Sequence, residues 1–246
     1  MTAKARLQAG ETRAMDGIKA LTFDTGGTVL DWHGGLSRAM AEVAGRRGLN
    51  ADWAAATNEY RRRSLGTIVN QLGPRFNFDD VHRDQLDRVV QDFGLGALTK
   101  EERDEIWRAW FALDAWPDFV PGVDRLRKKY PCVSFTLLTP RLVIDVSRRN
   151  GITWDAIISC EMLGVYKVRP EAYQATAKLL QLKPAEILMV ACHNFDLDAA
   201  RKEGFKTCFV KRPLEWGPAG PPDPIPNPAC DLVVDGFEEL AARMGC

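Results

Sequence analysis

The stretch LTFDTGGTVLDW, residues 21–32, sets a carboxylate, Asp24, where an apolar run from Ile18 to Phe23 gives way to a turn holding Gly26 and Gly27. Two roles are open to such a residue. An aspartate in a glycine-containing turn commonly bonds its own backbone. At the carboxyl end of a central strand of an open α/β sheet it is placed to act as a nucleophile or a metal ligand. Three further positions bear on the choice. Thr139 follows the apolar run CVSFTLL, and His193, Asn194 and Asp196 follow EILMVAC. Lys167 stands in GVYKVRPEAY, just ahead of a helix. A single polar residue at a strand end usually caps the next helix, but several converging on one rim fit a reactive crevice better. A carboxylate attacks once it is desolvated, aimed and kept ionised. A nearby lysine keeps it ionised by lowering its pKa, and small hydroxyl or amide donors can fix its second oxygen.

These groups share a rim only if the runs that carry them are neighbouring parallel strands. After the first strand, apolar residues recur at helical spacing over about 35–47, 52–70, 78–93 and 99–111, with LGPRFNFDD at 72–80 as a breaker. From about residue 120 the pattern alternates. Helix VDRLRKKY leads to strand CVSFTLL, helix LVIDVSRRN, the short strand AIISC, helix PEAYQATAKLL, strand EILMVAC, helix DLDAARKEG and strand KTCFVKR. A proline-rich loop from Pro213 to Pro228 precedes strand DLVV and helix FEELAARMG. Such alternation implies right-handed crossovers and a parallel sheet. The expected architecture is α/β: a doubly wound, Rossmann-like core of residues 17–33 and 117–246 with a helical cap, residues 34–116, inserted after the first strand. Residues 1–16 read as a loose extension, and no internal repeat is present.

A chain of 246 residues buries roughly three-quarters of its unfolded surface and needs no disulfides. Lysine plus arginine equals aspartate plus glutamate at 33 each, which gives no support to a nucleic-acid or polyanion partner. The six cysteines show no Cys-x-x-Cys spacing, and several lie in strand-like runs, where a reduced cysteine acts as a small hydrophobe. No run reaches the length of about 18 apolar residues that a membrane span needs. The amino-terminal MTAKARLQAGETRAM lacks a signal peptide's apolar centre. The expectation is a cytoplasmic protein with no nucleic-acid or membrane partner and at most a homodimer.

Together, FDTGGTVLDW, the threonine after the second strand, YKVRPEAY and VACHNFDLDAARKEGF resemble the haloacid dehalogenase superfamily. Within it they are most similar to the 2-haloacid dehalogenases, whose opening motif reads aspartate-threonine-aromatic-glycine-threonine. The resemblance covers residues 17–33 and 120–212 in order and is weaker over the cap. It implies that Asp24 is the nucleophile, Thr28 the threonine that orients it, and Lys167, preceded by Tyr166, the lysine beside it. Asp196 matches the acidic residue held near that lysine. His193 and Asn194 match a His-Asn form of the fourth motif found in one branch, and Phe195 falls where the family has a pocket-lining aromatic. Trp32, closing the first motif, and Thr139 are the further substrate contacts the resemblance suggests, with Thr136 as the alternative to Thr139 in LLTPRL. In the cap, YRRRSL resembles a Trp-Arg pair, which would make Arg61 the group that meets a leaving halide or the substrate carboxylate. Against this, Arg62 and Arg63 adjoin it, and a charged run is usually a solvated helix face.

Two departures from the family pattern carry consequences. Position 26 is glycine, where phosphatases of the superfamily keep an acid that protonates the leaving alcohol and helps hold magnesium. Phosphate-ester hydrolysis is thereby disfavoured. Dehalogenases place an aromatic there, so Gly26 either serves a backbone angle that only glycine adopts comfortably or leaves room for a larger substrate. The second departure is Pro140 after Thr139, where relatives have a longer serine-asparagine-glycine turn. The resemblance implies a small carboxylate substrate, no cofactor and a metal-free reaction in which Asp24 displaces halide from a short 2-substituted acid and water then hydrolyses the aspartyl ester, inverting the substrate. Azetidine-2-carboxylate hydrolases resemble the same family and would use the same nucleophile to open a ring. A catalytically inert binding core is the reading from another class.

Overall fold

The computed structural model describes residues 15–68, 77–218, 220 and 225–246. The first 14 residues of the expected extension and most of the breaker before residue 77 lie outside them. Six strands form one all-parallel sheet in the order β3-β2-β1-β4-β5-β6, the doubly wound arrangement that the alternating pattern predicts. The strands are β1 (Ala20–Phe23), β2 (Cys132–Thr136), β3 (Ala156–Ser159), β4 (Ile187–Ala191), β5 (Lys206–Val210) and β6 (Leu232–Val234). Strand order reverses between β2 and β4 with β1 between them, so the residue that follows β1 stands at the switch point where such sheets bind ligands. Register fixes it there. Phe23 is level with Ser134 on one side and Val190 on the other, and the Asp24 amide donates to the Val190 carbonyl at 3.0 Å.

Among the described residues, four α-helices follow β1 before residue 109: α1 (Trp32–Gly45), α2 (Trp53–Ile68), α3 (Phe78–Asp92) and α4 (Lys100–Arg108). Their starts are dictated locally. The Asp31 side chain accepts from the Gly34 amide at the head of α1, Asn77 accepts from the Asp79 amide at the head of α3, and Thr99 with Glu102 closes a capping box on α4. The block buries its own ring cluster, with His82 stacked between Phe78 and Trp110 at 4.0 Å from each. Burial holds His82 well below its ordinary pKa, and a neutral ring among aromatics is the consistent state.

The chain then alternates through α5 (Phe119–Leu126), α6 (Pro140–Asn150), α7 (Cys160–Leu163), α8 (Pro170–Leu180), α9 (Asn194–Lys202) and α10 (Phe237–Arg243). Phe23 from β1 packs against Phe119, Trp154 and Phe237 under the sheet, with ring centroids 5.7 to 6.0 Å apart. Two details differ from the sequence reading. The strand expected over CVSFTLL stops at Thr136, whose hydroxyl accepts from the Leu138 amide at 3.1 Å and turns the chain outward. The turn α7 was hidden because four residues are too few to show a helical period.

Candidate active site

Asp24 is buried, and both of its oxygens are occupied. Oδ1 accepts from Lys167 Nζ at 3.2 Å, while Oδ2 accepts from Thr28 Oγ1 at 2.9 Å and meets His193 Nδ1 at 3.2 Å. Each donor arrives from a different element for a mechanical reason. Thr28 sits one turn on, where Gly27 at φ +94° reverses the chain, and its hydroxyl in turn accepts from the Cys192 amide at 3.0 Å. His193 begins α9 at the end of β4, the neighbour of β1. Lys167 reaches in from the segment before α8 and also donates to Asp196 Oδ2 at 2.7 Å, with its ammonium 4.5 Å from the centre of the Phe135 ring. The remaining oxygen of Asp196 accepts from Tyr173 Oη at 2.6 Å.

The charges follow from these contacts. Burial opposes ionisation of Asp24, but Lys167 and the hydrogen bonds from His193 and Thr28 outweigh it and hold the carboxyl well below the usual carboxylate range. Burial likewise opposes charge on Lys167, and Asp196 with Asp24 overcomes it, so its pKa is raised. For Asp196 burial prevails and raises the pKa against the pull of Lys167. Asp24 is therefore a desolvated, ionised and aimed carboxylate, the state a nucleophile requires.

Arg61, on α2, faces the same pocket. Its guanidinium lies over the rings of Trp32 and Trp110, at 5.5 and 5.6 Å, and donates a long bond to the Gly26 carbonyl at 3.4 Å. Nε and Nη1 are buried with no protein partner among the described residues. Arg62 and Arg63 instead pair with Glu59 on the outer face of the same helix, which separates Arg61 from the charged run that obscured it. Asp24, Gly26, Arg61, Leu138, Lys167 and Phe195 line the small pocket between the two groups, and Phe195 stacks on His193 at 5.1 Å.

Several expected contacts lie elsewhere. Thr139 does not line this pocket: its hydroxyl caps α6 and donates to Asp79 Oδ2 at 2.9 Å, whereas Thr136, one turn earlier, is the threonine on the pocket wall. The early end of β2 is the cause. Asn194 points away from Asp24 and clips the proline-rich loop, donating to the Ile225 carbonyl at 2.8 Å and accepting from the Asn227 amide at 3.0 Å. Trp32 lies beneath Arg61 and donates to Glu215, and Tyr166 is buried beside Lys167; neither lines the pocket. Gly26 lacks the positive φ that would demand glycine. The room that a side chain would use there is taken by Arg61, since a Cβ would stand 3.1 Å from Nη2. Gly26 itself lines the small pocket, with the Arg61 guanidinium as the nearest neighbour of the absent side chain. Gly26→Phe is expected to fold and to push the guanidinium out of its seat, raising KM for a carboxylate substrate by about tenfold or more. Steady-state kinetics and a crystal structure check this, and an unmoved Arg61 would refute it.

Glu215 is the buried group that local sequence reasoning misses. It lies in the turn after β5, beside Pro213 and Trp216, with no periodicity to mark it. Its Oε1 meets His193 Nε2 at 2.8 Å and accepts from Trp32 Nε1 at 3.1 Å. A Cβ at position 27 would collide with its carboxylate, so Gly27 serves both the backbone angle and this close approach.

Comparison with known proteins points to one family. (S)-2-haloacid dehalogenase 1 of Pseudomonas sp. strain CBS-3 is 26% identical over 203 residues, spanning 80% of this chain and 86% of that protein. The (S)-2-haloacid dehalogenase of Pseudomonas sp. strain YL is 27% identical over 205 residues, 80% of this chain and 84% of the relative. The crystal structure of a defluorinating L-2-haloacid dehalogenase superposes with a TM-score of 0.86 at 35% identity, covering 93% of this chain and 96% of the other. The family profile of the haloacid dehalogenase-like hydrolases matches residues 18–204, and with that match over the Asp24 turn, the Lys167 segment and the β4 end, the chain belongs to the haloacid dehalogenase-like hydrolases.

Proposed function

We propose that this enzyme hydrolyses short 2-haloacids, with Asp24 displacing the halide to form an aspartyl ester. The observation that carries the reading is an ionised, oriented carboxylate facing, across one small pocket, a buried guanidinium whose Nε and Nη1 have no protein partner among the described residues. A substrate carboxylate or a departing halide supplies the anion that Arg61 lacks. Asp24 attacks C2 from the side opposite the halogen, so configuration at that carbon inverts. Water then attacks the ester carbonyl carbon, and the product leaves as the 2-hydroxy acid. Among the described residues no helix is long and apolar enough to cross a membrane, which suits an enzyme acting on a dissolved acid.

The superfamily includes magnesium enzymes, and the donors here do not suit that ion. Magnesium takes several oxygen ligands in near-octahedral order. The Asp24 oxygens are held by Lys167, Thr28 and His193, position 26 carries no side chain, and Asp196 is bonded to Lys167 and Tyr173. Ring opening of azetidine-2-carboxylate would use the same nucleophile, but no feature of the pocket favours it over halide displacement. The deciding experiment incubates chelator-treated enzyme with (S)-2-chloropropionate, fluoroacetate, azetidine-2-carboxylate and a phosphate ester. Halide release that survives EDTA is expected. Activity on the phosphate ester alone, lost with EDTA and restored by magnesium, would overturn the reading.

A further inference from the structure

His193 touches both the nucleophile and Glu215, a second buried carboxylate. Its ring lies between Asp24 Oδ2, 3.2 Å from Nδ1, and Glu215 Oε1, 2.8 Å from Nε2. Cys192 also faces the ring, at 3.5 Å from Nε2, while Lys167 stands on the far oxygen of Asp24. Arg61 acts on both carboxylates at longer range. Asp196, the other carboxylate near Asp24, has both oxygens committed to Lys167 and Tyr173.

We propose that Glu215 is the positioning residue of the hydrolytic half of the reaction, holding His193 so that loss of the Asp24 charge on ester formation frees Nδ1 to accept a proton from the attacking water. The proposal rests on the aspartyl-ester reading above. In the free enzyme both ring nitrogens carry protons, one donated to each carboxylate. Burial opposes that charge, and Cys192, Glu215 and the bond to Asp24 overcome it, raising the His193 pKa well above its ordinary value. The Cys192 thiol is itself pushed up to about 11 by burial and is neutral, so the two carboxylates carry the effect.

When the Asp24 oxygen bonds to C2 and the carbon–halogen bond breaks, the halide takes the bonding pair and Asp24 becomes a neutral ester. His193 then has one anionic neighbour where it had two, and its Nδ1 proton passes to solvent. As water adds to the ester carbonyl it gives a proton to Nδ1. Collapse then breaks the bond to the substrate oxygen, the second proton of the water passes to that leaving oxygen, and the hydroxy acid departs with the Asp24 carboxylate restored beside a protonated ring. The sum is haloacid plus water to hydroxy acid, halide and one proton. Glu215 keeps Nε2 protonated throughout and aims Nδ1 at Asp24, while Trp32 holds the same Glu215 oxygen in place.

The test has two readouts. The chain contains three histidines, His33, His82 and His193, so imidazole nitrogen resonances are assignable by single substitution. Asp24→Asn mimics the neutral ester, and the His193 titration is expected to fall by about 2 pH units or more in it, with a further fall when Glu215→Gln is added. With (S)-2-chloropropionate, Glu215→Gln is expected to retain a halide burst near one per enzyme, accumulate the Asp24 adduct by mass spectrometry, and hydrolyse it about 30-fold or more slowly, with the acid limb of that step moved to lower pH. Glu215→Asp, which keeps the charge on a shorter arm, recovers part of the rate and supplies the same readouts if the glutamine variant does not fold. A His193 titration unmoved by Asp24→Asn, or a hydrolysis step unchanged in a folded Glu215 variant, overturns the proposal. Inertness of the wild-type enzyme toward the haloacid, with no adduct, overturns the ester reading instead, and the titration still decides the charge coupling.

Discussion

Asp24→Asn is expected to lower turnover of a 2-haloacid by about 10⁴-fold or more while the protein stays folded. The amide keeps the shape of the carboxylate and can still accept from Thr28, so the turn at Gly27 has no reason to move. It loses the charge that makes the side chain a nucleophile. With its oxygen toward Thr28 and His193, it presents an NH₂ to Lys167, itself a donor, which predicts a stability cost of about 1–3 kcal/mol rather than collapse. The direct measurement is a single turnover of the wild-type enzyme in heavy-oxygen water. Attack by Asp24 on C2, followed by water on the carboxyl carbon, places the label in the Asp24 carboxylate and leaves the first product unlabelled. Label in the product on the first turnover, with none in the peptide containing Asp24, would show that water attacks the substrate directly and that Asp24 acts as a base.

What the sequence made legible, and what it hid, divides by range. The parallel core was readable because its strands are short apolar runs punctuated by helices, and the ends of those runs delivered Asp24, His193 and Asp196 to one rim. Lys167 was readable through its motif. Thr136 and Thr139 could not be ordered, since their difference depends on where β2 stops, and a strand end is decided by one hydroxyl accepting from the Leu138 amide. Asn194 sits beside His193 in sequence, but the first turn of α9 rotates it by about 100° and points it at the proline-rich loop. Glu215 was invisible. Its partners His193 and Trp32 lie 22 and 183 residues away, and no local pattern marks a buried carboxylate in a loop. The trace it leaves is Gly27, which reads as an ordinary turn glycine until the carboxylate packed against it is seen.

Lys167→Met carries the second large effect, on stability and activity together. One ammonium at present serves two buried carboxylates, Asp24 at 3.2 Å and Asp196 at 2.7 Å. Breaking a buried pair by removing one partner typically costs about 3–5 kcal/mol, because the remaining charge is stranded. Methionine fills the volume of the stem, so packing against Phe135 changes little and the loss is chiefly electrostatic. The stranded carboxylates respond by taking up a proton. Asp24, now beside Asp196 with no cation between them, rises from its depressed pKa, and activity at neutral pH is expected to fall about 10³-fold or more. The sign with pH distinguishes this from simple misfolding. In the wild type, the raised Lys167 pKa gives stabilisation that is complete below about pH 10 and is lost as pH rises through the folded value. In the variant the carboxyls become groups whose folded pKa is raised, and such groups stabilise below their unfolded value of about 4 and lose that contribution as pH increases. The stability gap between the two proteins is therefore expected to be small near pH 4.5 and to widen toward pH 8, as urea denaturation at the two values would show. A gap of the same size at both pH values would mean that Lys167 supports the fold by packing, and that Asp24 owes its charge to Thr28 and His193 alone.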